Sequence, residues 1–226
     1  MAESSAPQTM ADLIPETTVP SSSGTTRGVA DGRVALRMRN RQRVIDALIE
    51  LVDEGDMSPS MESIVERSGV SERSVFRYFT DLADLSLAAV RAVMERAEPA
   101  RVILDKGEGT LEHRIDQMIA SRLRVSALTH SFGMLARRKL AVVPEIQQGL
   151  TNVVILLRSQ FEEQFAPEIA AMSDAEVAVA MDVFVTMFSF EGLDVMWRQL
   201  GNDHTAVADR WRVVMTALLA PHTPSV

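Results

Sequence analysis

From about residue 34 onward the apolar residues recur at the spacing of one helix face, and no segment alternates with the period of two that a half-buried strand requires. That periodicity restricts the chain to an all-α fold. Val44, Leu48, Leu51 and Val52 share one face of a first helix, with Gly55 as its stop. Short helices are predicted at 60–67 and 71–79, then longer ones at 81–96, 110–128, 129–142, 144–165, 174–200 and 205–219, about nine in all. Lys106-Gly107-Glu108-Gly109 reads as a loop. Pro144 suits a first turn, where its missing N–H costs nothing. Ser173 is placed to cap the helix that follows it. Residues 1–30 are rich in Ser, Thr, Pro, Ala and Gly and read as a disordered tail. The remainder divides into a small helical domain over 31–82 and a larger one over 83–226.

Composition removes several classes. The chain of 226 residues has no cysteine, which excludes disulfide frameworks, thiolate metal sites and thiol catalysis. Its longest apolar runs, such as Val153–Leu157, are about one helical turn, far short of the roughly 20 residues of a membrane span. The first basic residue is Arg27, so no charged signal region opens the chain. A cytoplasmic protein without a membrane partner is expected. The four histidines lack metal-ligand spacing, no glycine-rich phosphate loop follows a strand, and no nucleophile–base set is identifiable. No cofactor, no metal site, no catalytic residue and no enzyme activity are expected.

The net charge of −8 argues against a general polyanion binder, but its distribution is uneven. Residues 27–43 carry six arginines (Arg27, Arg33, Arg37, Arg39, Arg41 and Arg43) against the single acid Asp31. A basic end on an acidic body can hold a nucleic acid by one face only; the alternative is a solvated face.

The segment 58–79 gives that end a shape. Ile64 and Val65 face inward on a short helix, and Ser68 is small enough for the next helix to approach. Gly69 can take the left-handed conformation that ends a helix. Val70 plugs the turn, Ser71 is expected to cap the next helix with its side chain, and Val75 and Phe79 return to the core. Two short helices joined by a tight glycine turn form a helix-turn-helix, whose second helix enters the major groove of DNA. Glu72, Arg73, Ser74, Phe76, Arg77 and Tyr78 then point outward, and arginine can pair bidentately with guanine. Two of these have a structural alternative: Phe76 could pack on the first helix, and Glu72 could only favour the positive helix N-terminus.

The segment from about residue 36 to 90 resembles the DNA-binding domain of the tetracycline-repressor (TetR) family. The matching positions are Ser60, Ile64-Val65, Ser68-Gly69-Val70-Ser71, Val75-Phe76-Arg77-Tyr78-Phe79, and Leu82 with Leu85. The chain departs from the family where Phe76 replaces a tyrosine, Tyr78 a histidine, and Leu82 the lysine that touches phosphate. The resemblance implies base contacts from Glu72, Arg73, Phe76 and Arg77. It implies phosphate contacts from Ser60, Ser74 and Tyr78. Arg37, Arg39 and Arg41 would supply phosphate or minor-groove contacts in place of the lost lysine. It further implies a homodimer on a near-palindromic operator, and a transcriptional repressor released by a small-molecule effector. The alternative is a helical ligand-binding or interaction protein that no longer binds DNA specifically.

The larger domain carries no motif. On the helix over 110–128, Leu111, Ile115, Met118 and Val125 share a face, and Arg122 falls in the middle of it. An unpaired buried guanidinium is costly, so Arg122 needs a partner, either an internal carboxylate such as Glu191 or an anionic or carbonyl-bearing ligand. Arg122, His130, Arg137, Phe184, Phe188 and Glu191 form the candidate ligand pocket. The stretch 174–200 is apolar on most of its circumference, so it is buried on two sides, either in a deep core or against a partner. In the resembled family the last two helices build the dimer. Met187, Phe190, Trp197, Trp211, Met215 and Leu218 are the candidate interface.

Overall fold

The computed structural model describes residues 29–139 and 143–220. Among them are ten helices and no strand: α1 (Val29–Asp53), α2 (Met61–Ser68), α3 (Glu72–Tyr78), α4 (Leu82–Arg101), α5 (Leu111–Lys139), α6 (Pro144–Gln164), α7 (Ala166–Ile169), α8 (Asp174–Phe188), α9 (Phe190–Asp194) and α10 (His204–Leu219), with a π-helical turn Val195–Gln199 after α9. The tail reading falls outside the described residues except at its last positions, where α1 already begins. No helix is long and apolar enough to cross a membrane.

The described residues form two units. One holds those up to Arg96 together with Ser131–Gln148; the other holds Ala97–His130 and those from Gly149 onward. In the first, α1 packs on α2 and α3. Val44, Leu48 and Val52 of α1 meet Ile64, Val75 and Phe79, all at most 2% exposed. Ser60 caps α2 by accepting the Ser63 N–H at 3.1 Å. Gly69 closes it at φ +62°, where any side chain is strained. Ser71 departs from expectation: its hydroxyl turns to Ser74 Oγ (3.0 Å) and caps nothing, and only its carbonyl receives the Ser74 and Val75 N–H groups.

In the second unit the core is an aromatic row. Phe165, Phe161, Phe184, Phe188 and Trp211 follow one another with ring centroids 5.2, 4.5, 4.6 and 4.2 Å apart. Arg114 is locked beside it by both carboxylate oxygens of Glu168 (2.7 and 2.6 Å) and by the Gln164 carbonyl (3.0 Å). Ser173 forms a full capping box with Glu176 at the start of α8.

Two helix boundaries differ from expectation. The helices expected at 110–128 and 129–142 are one, α5, because the Thr129 hydroxyl folds back onto the Val125 carbonyl (3.0 Å) instead of capping a new helix. The helix expected over 174–200 breaks at Ser189, which takes an extended conformation, donates to the Thr186 carbonyl (2.7 Å) and accepts the Gly192 N–H (3.0 Å). A Cβ on Gly192 would stand 2.4 Å from that same carbonyl, so the break depends on glycine.

Candidate nucleic-acid interface

Burial of Val75 and Phe79 fixes the rotation of α3, and with it what the helix presents outward. Glu72, Arg73, Phe76 and Arg77 are all exposed. Phe76 is 52% exposed, which removes the alternative that it packs on the first helix. Arg77 lies along the end of the helix: its guanidinium donates to the Tyr78 phenol at 3.1 Å and stands 5.2 Å from that ring's centre. It also reaches Ser74 Oγ at 3.5 Å.

Tyr78 joins α3 to α1. Its phenol is held below the ordinary tyrosine range, chiefly by the Arg77 hydrogen bond, with a hydrogen bond to Asn40 and the positive charges of Arg77 and Arg37 adding to it. The guanidinium of Arg41 stands over the Phe79 ring at 4.9 Å. Arg33, Arg37 and Arg41 follow at four-residue steps, about 40° apart round the helix, and so form one stripe beside the C-terminal end of α3. Arg39 and Arg43, again four apart, form a second stripe; Arg43 lies against the Gly69 turn.

The arginine-rich segment is therefore helix rather than extended arm. A helix about 10–12 Å across does not enter a minor groove about 6 Å wide. Phosphate or minor-groove contact from Arg37, Arg39 and Arg41 would therefore come from side chains projecting from the helix.

None of Arg33, Arg37, Arg39, Arg41, Arg43, Arg73 and Arg77 forms an ion pair among the described residues, whereas Arg67 on α2 is bound to Glu54 and Glu50 and Arg96 to Asp46. Arginines without an ion pair are thus concentrated on α1 and α3. Ser60 is exposed, but its hydroxyl already donates to Ser63 Oγ (3.3 Å) and must release that bond to donate to a phosphate. Leu82, 38% exposed at the start of α4, offers no donor. Asn40 is the residue that sequence reasoning missed; its signal was its place three residues after Arg37 on the same helix.

No family model, curated protein or solved structure matches the chain.

The candidate pocket residues have different settings. Phe184 and Phe188 are interior members of the aromatic row. Glu191 is exposed and lines an open groove of about 700 Å³ with Val183, Met187, Gly192 and Val195. His130 stacks on Phe190 (5.1 Å), meets Trp197 edge-on (5.2 Å) and points Nε2 at Asp194 (3.7 Å). Arg137 donates to the Gly133 carbonyl of its own helix (3.4 Å). Arg122 is buried as its wheel position demands, but neither Glu191 nor any other carboxylate among the described residues pairs with it.

Two of the six candidate interface residues are interior. Trp211 and Met215 are 1% and 0% exposed within the single chain and belong to its core. Phe190 and Trp197 pack on His130, and Met187 and Leu218 are half-buried. The apolar residues α8 and α10 do expose are Val179 (61%), Val183 (36%), Val213 (70%) and Val214 (38%). The largest apolar side chains were drawn into the chain's own core, leaving these valines outward.

Proposed function

We propose that the chain is a sequence-specific DNA-binding transcriptional regulator of the TetR type that works as a homodimer. The observation that carries this reading is the set of unpaired arginines on α1 and α3, placed around an exposed aromatic on the second helix of a helix-turn-helix. Glu72, Arg73, Phe76 and Arg77 would meet bases. Arg37, Ser74 and Tyr78, with Arg39, Arg41 and Ser60, would hold phosphates. Val179 and Val183 on α8, with Val214 on α10, would form the seam between protomers. The two recognition helices would then read half-sites about 34–36 Å apart on a near-palindromic operator. A small molecule in the larger helical unit would release the DNA through differential affinity for two states.

The test is a salt-controlled titration of the purified protein against DNA flanking its own coding region, followed by selection from randomised duplexes. Selective binding of two protomers per site supports the regulator. Absence of selectivity in both experiments at every salt concentration refutes it and leaves a helical ligand-binding protein.

A further inference from the structure

Two arginines of α5 are buried, and they are in opposite situations. Arg114, 4% exposed, is answered by Glu168 and the Gln164 carbonyl. Arg122, 8% exposed and about two turns further along, has neither a carboxylate nor a hydrogen-bond acceptor among the described residues, and its Nε is shielded from solvent. Burial first, and then the like charge of Arg101, lower its pKa to about 10, so it is still a cation at neutral pH. Several acids of the same unit are bound elsewhere, Glu98 with Arg101, Asp116 with Arg212 and Glu163 with Lys106, and none among the described residues pairs with Arg122. Folding leaves one interior cation without an anion, and such a group is destabilising to its own fold.

Its neighbours on the same face of α5 are apolar. Met118 and Ile119 one turn before it, and Val125 one turn after, are 1%, 3% and 4% exposed. On α6, Gln160 is 4% exposed and its Oε1 has no partner. Gln164 is bonded to the Arg114 carbonyl (3.1 Å) and to Gln117 (3.2 Å). Since α6 runs antiparallel to α5, Gln160, one turn back from Gln164, stands within about a turn, roughly 5 Å, of the level of Arg122. An unanswered cation and an unanswered acceptor thus occur at similar levels of α5 and α6 in one helical unit.

We propose that this unit binds an amphiphilic organic anion, its carboxylate or phosphate head paired with Arg122 and its apolar body against Met118, Ile119 and Val125. Calling that anion the effector rests on the regulator reading above; its binding does not. The ligand supplies the counter-charge that the fold omits, which makes a neutral molecule of the same shape a poor substitute.

The test is calorimetric titration of the full chain with octanoate, octyl phosphate and 1-octanol below their micellar concentrations, without DNA, alongside thermal melts. The wild-type protein is expected to bind at least one anion about tenfold or more tighter than the alcohol, and the tighter anion identifies the head group. Arg122→Met is expected to lose that preference and to melt no lower than wild type, because it removes an uncompensated buried charge. Arg122→Lys, which keeps the charge without the fork, is expected to retain a weaker preference and covers a methionine variant that fails to fold. Equal binding of octanol and octanoate by the wild type, binding of none of the three, or an anion preference that survives in Arg122→Met would each overturn the proposal. Anion binding without operator binding sinks the regulator alone; operator binding without anion preference sinks this inference alone.

Discussion

If the proposed function holds, replacing Arg77 by alanine should separate base reading from phosphate holding. In the free protein the Arg77 guanidinium rests on Tyr78 through a 3.1 Å hydrogen bond and a ring contact at 5.2 Å. To read a base it must leave that position, giving up an exposed hydrogen bond worth about 1 kcal/mol. It gains a bidentate guanine pair worth about 1–3 kcal/mol of discrimination. Two half-sites in a dimer double that net of about 0–2 kcal/mol, so Arg77→Ala should weaken operator binding by up to about 4 kcal/mol, or roughly 10³-fold. Random DNA should lose only the smaller electrostatic share. Arg37, beside Tyr78 on α1, should behave differently. Arg37→Ala should weaken all sequences alike and flatten the plot of log K against log salt by about 0.9 per lost contact, or about 1.8 for a dimer. Anisotropy titrations of operator and scrambled duplexes across a salt series read both quantities. If Arg77→Ala loses equally on both duplexes and flattens the salt slope as Arg37→Ala does, Arg77 is a phosphate clamp working with Tyr78. Arg73 would then be the arginine left to face bases, and the reasoning above is wrong.

Tyr78 is the single tyrosine of the chain, so its ultraviolet titration can be followed alone. It should ionise below the ordinary value and move back up in Arg77→Ala. Because its folded pKa is lowered, its contribution to stability is fully present only above the unfolded pKa of about 10 and is lost as pH falls through the folded value, so it adds nothing near pH 7. An unchanged titration in Arg77→Ala would remove the hydrogen bond as its cause. Glu168→Ala should cost about 3–5 kcal/mol in denaturant melts, because it leaves the Arg114 guanidinium buried with one acceptor. A loss under about 1 kcal/mol would mean that water replaces the carboxylate. Gly192→Ala sets the roughly 1 kcal/mol that alanine gains in a helix against a Cβ 2.4 Å from one carbonyl oxygen and 2.8 Å from another. Backbone atoms cannot swing aside, so a net loss of roughly 1–3 kcal/mol is expected, and a thermal melt at or above wild type would contradict the Ser189 break.

The helical class, the glycine turn at 69 and the outward set on α3 were legible because each is set within a few residues. Helical spacing separates the buried Val75 and Phe79 from the exposed Arg73, Phe76 and Arg77 whatever else the chain does. The Ser173–Glu176 capping box was half-visible for the same reason. The signals that misled were local ones with two outcomes. Thr129 can start a helix or bond back within one, and Ser71 can cap or turn to Ser74. A serine and a glycine three apart inside an apolar run, Ser189 and Gly192, look like part of a helix until their backbone contacts are known.

What the sequence determined alone is thus the all-helical class, the helix-turn-helix and the concentration of arginine near its first helix, since periodicity, turn chemistry and charge are properties of neighbours in the chain. Tertiary structure decided what depends on competition between distant groups. Trp211 and Met215 went to the chain's own core while Val179 and Val213 stayed outside, because a core takes the largest apolar surface it can close over. Glu168 went to Arg114 across α5 and α7, and Arg122, equally buried on the same helix, received no acid. Periodicity can place a charge inside; only the packed chain decides whether an opposite charge meets it there.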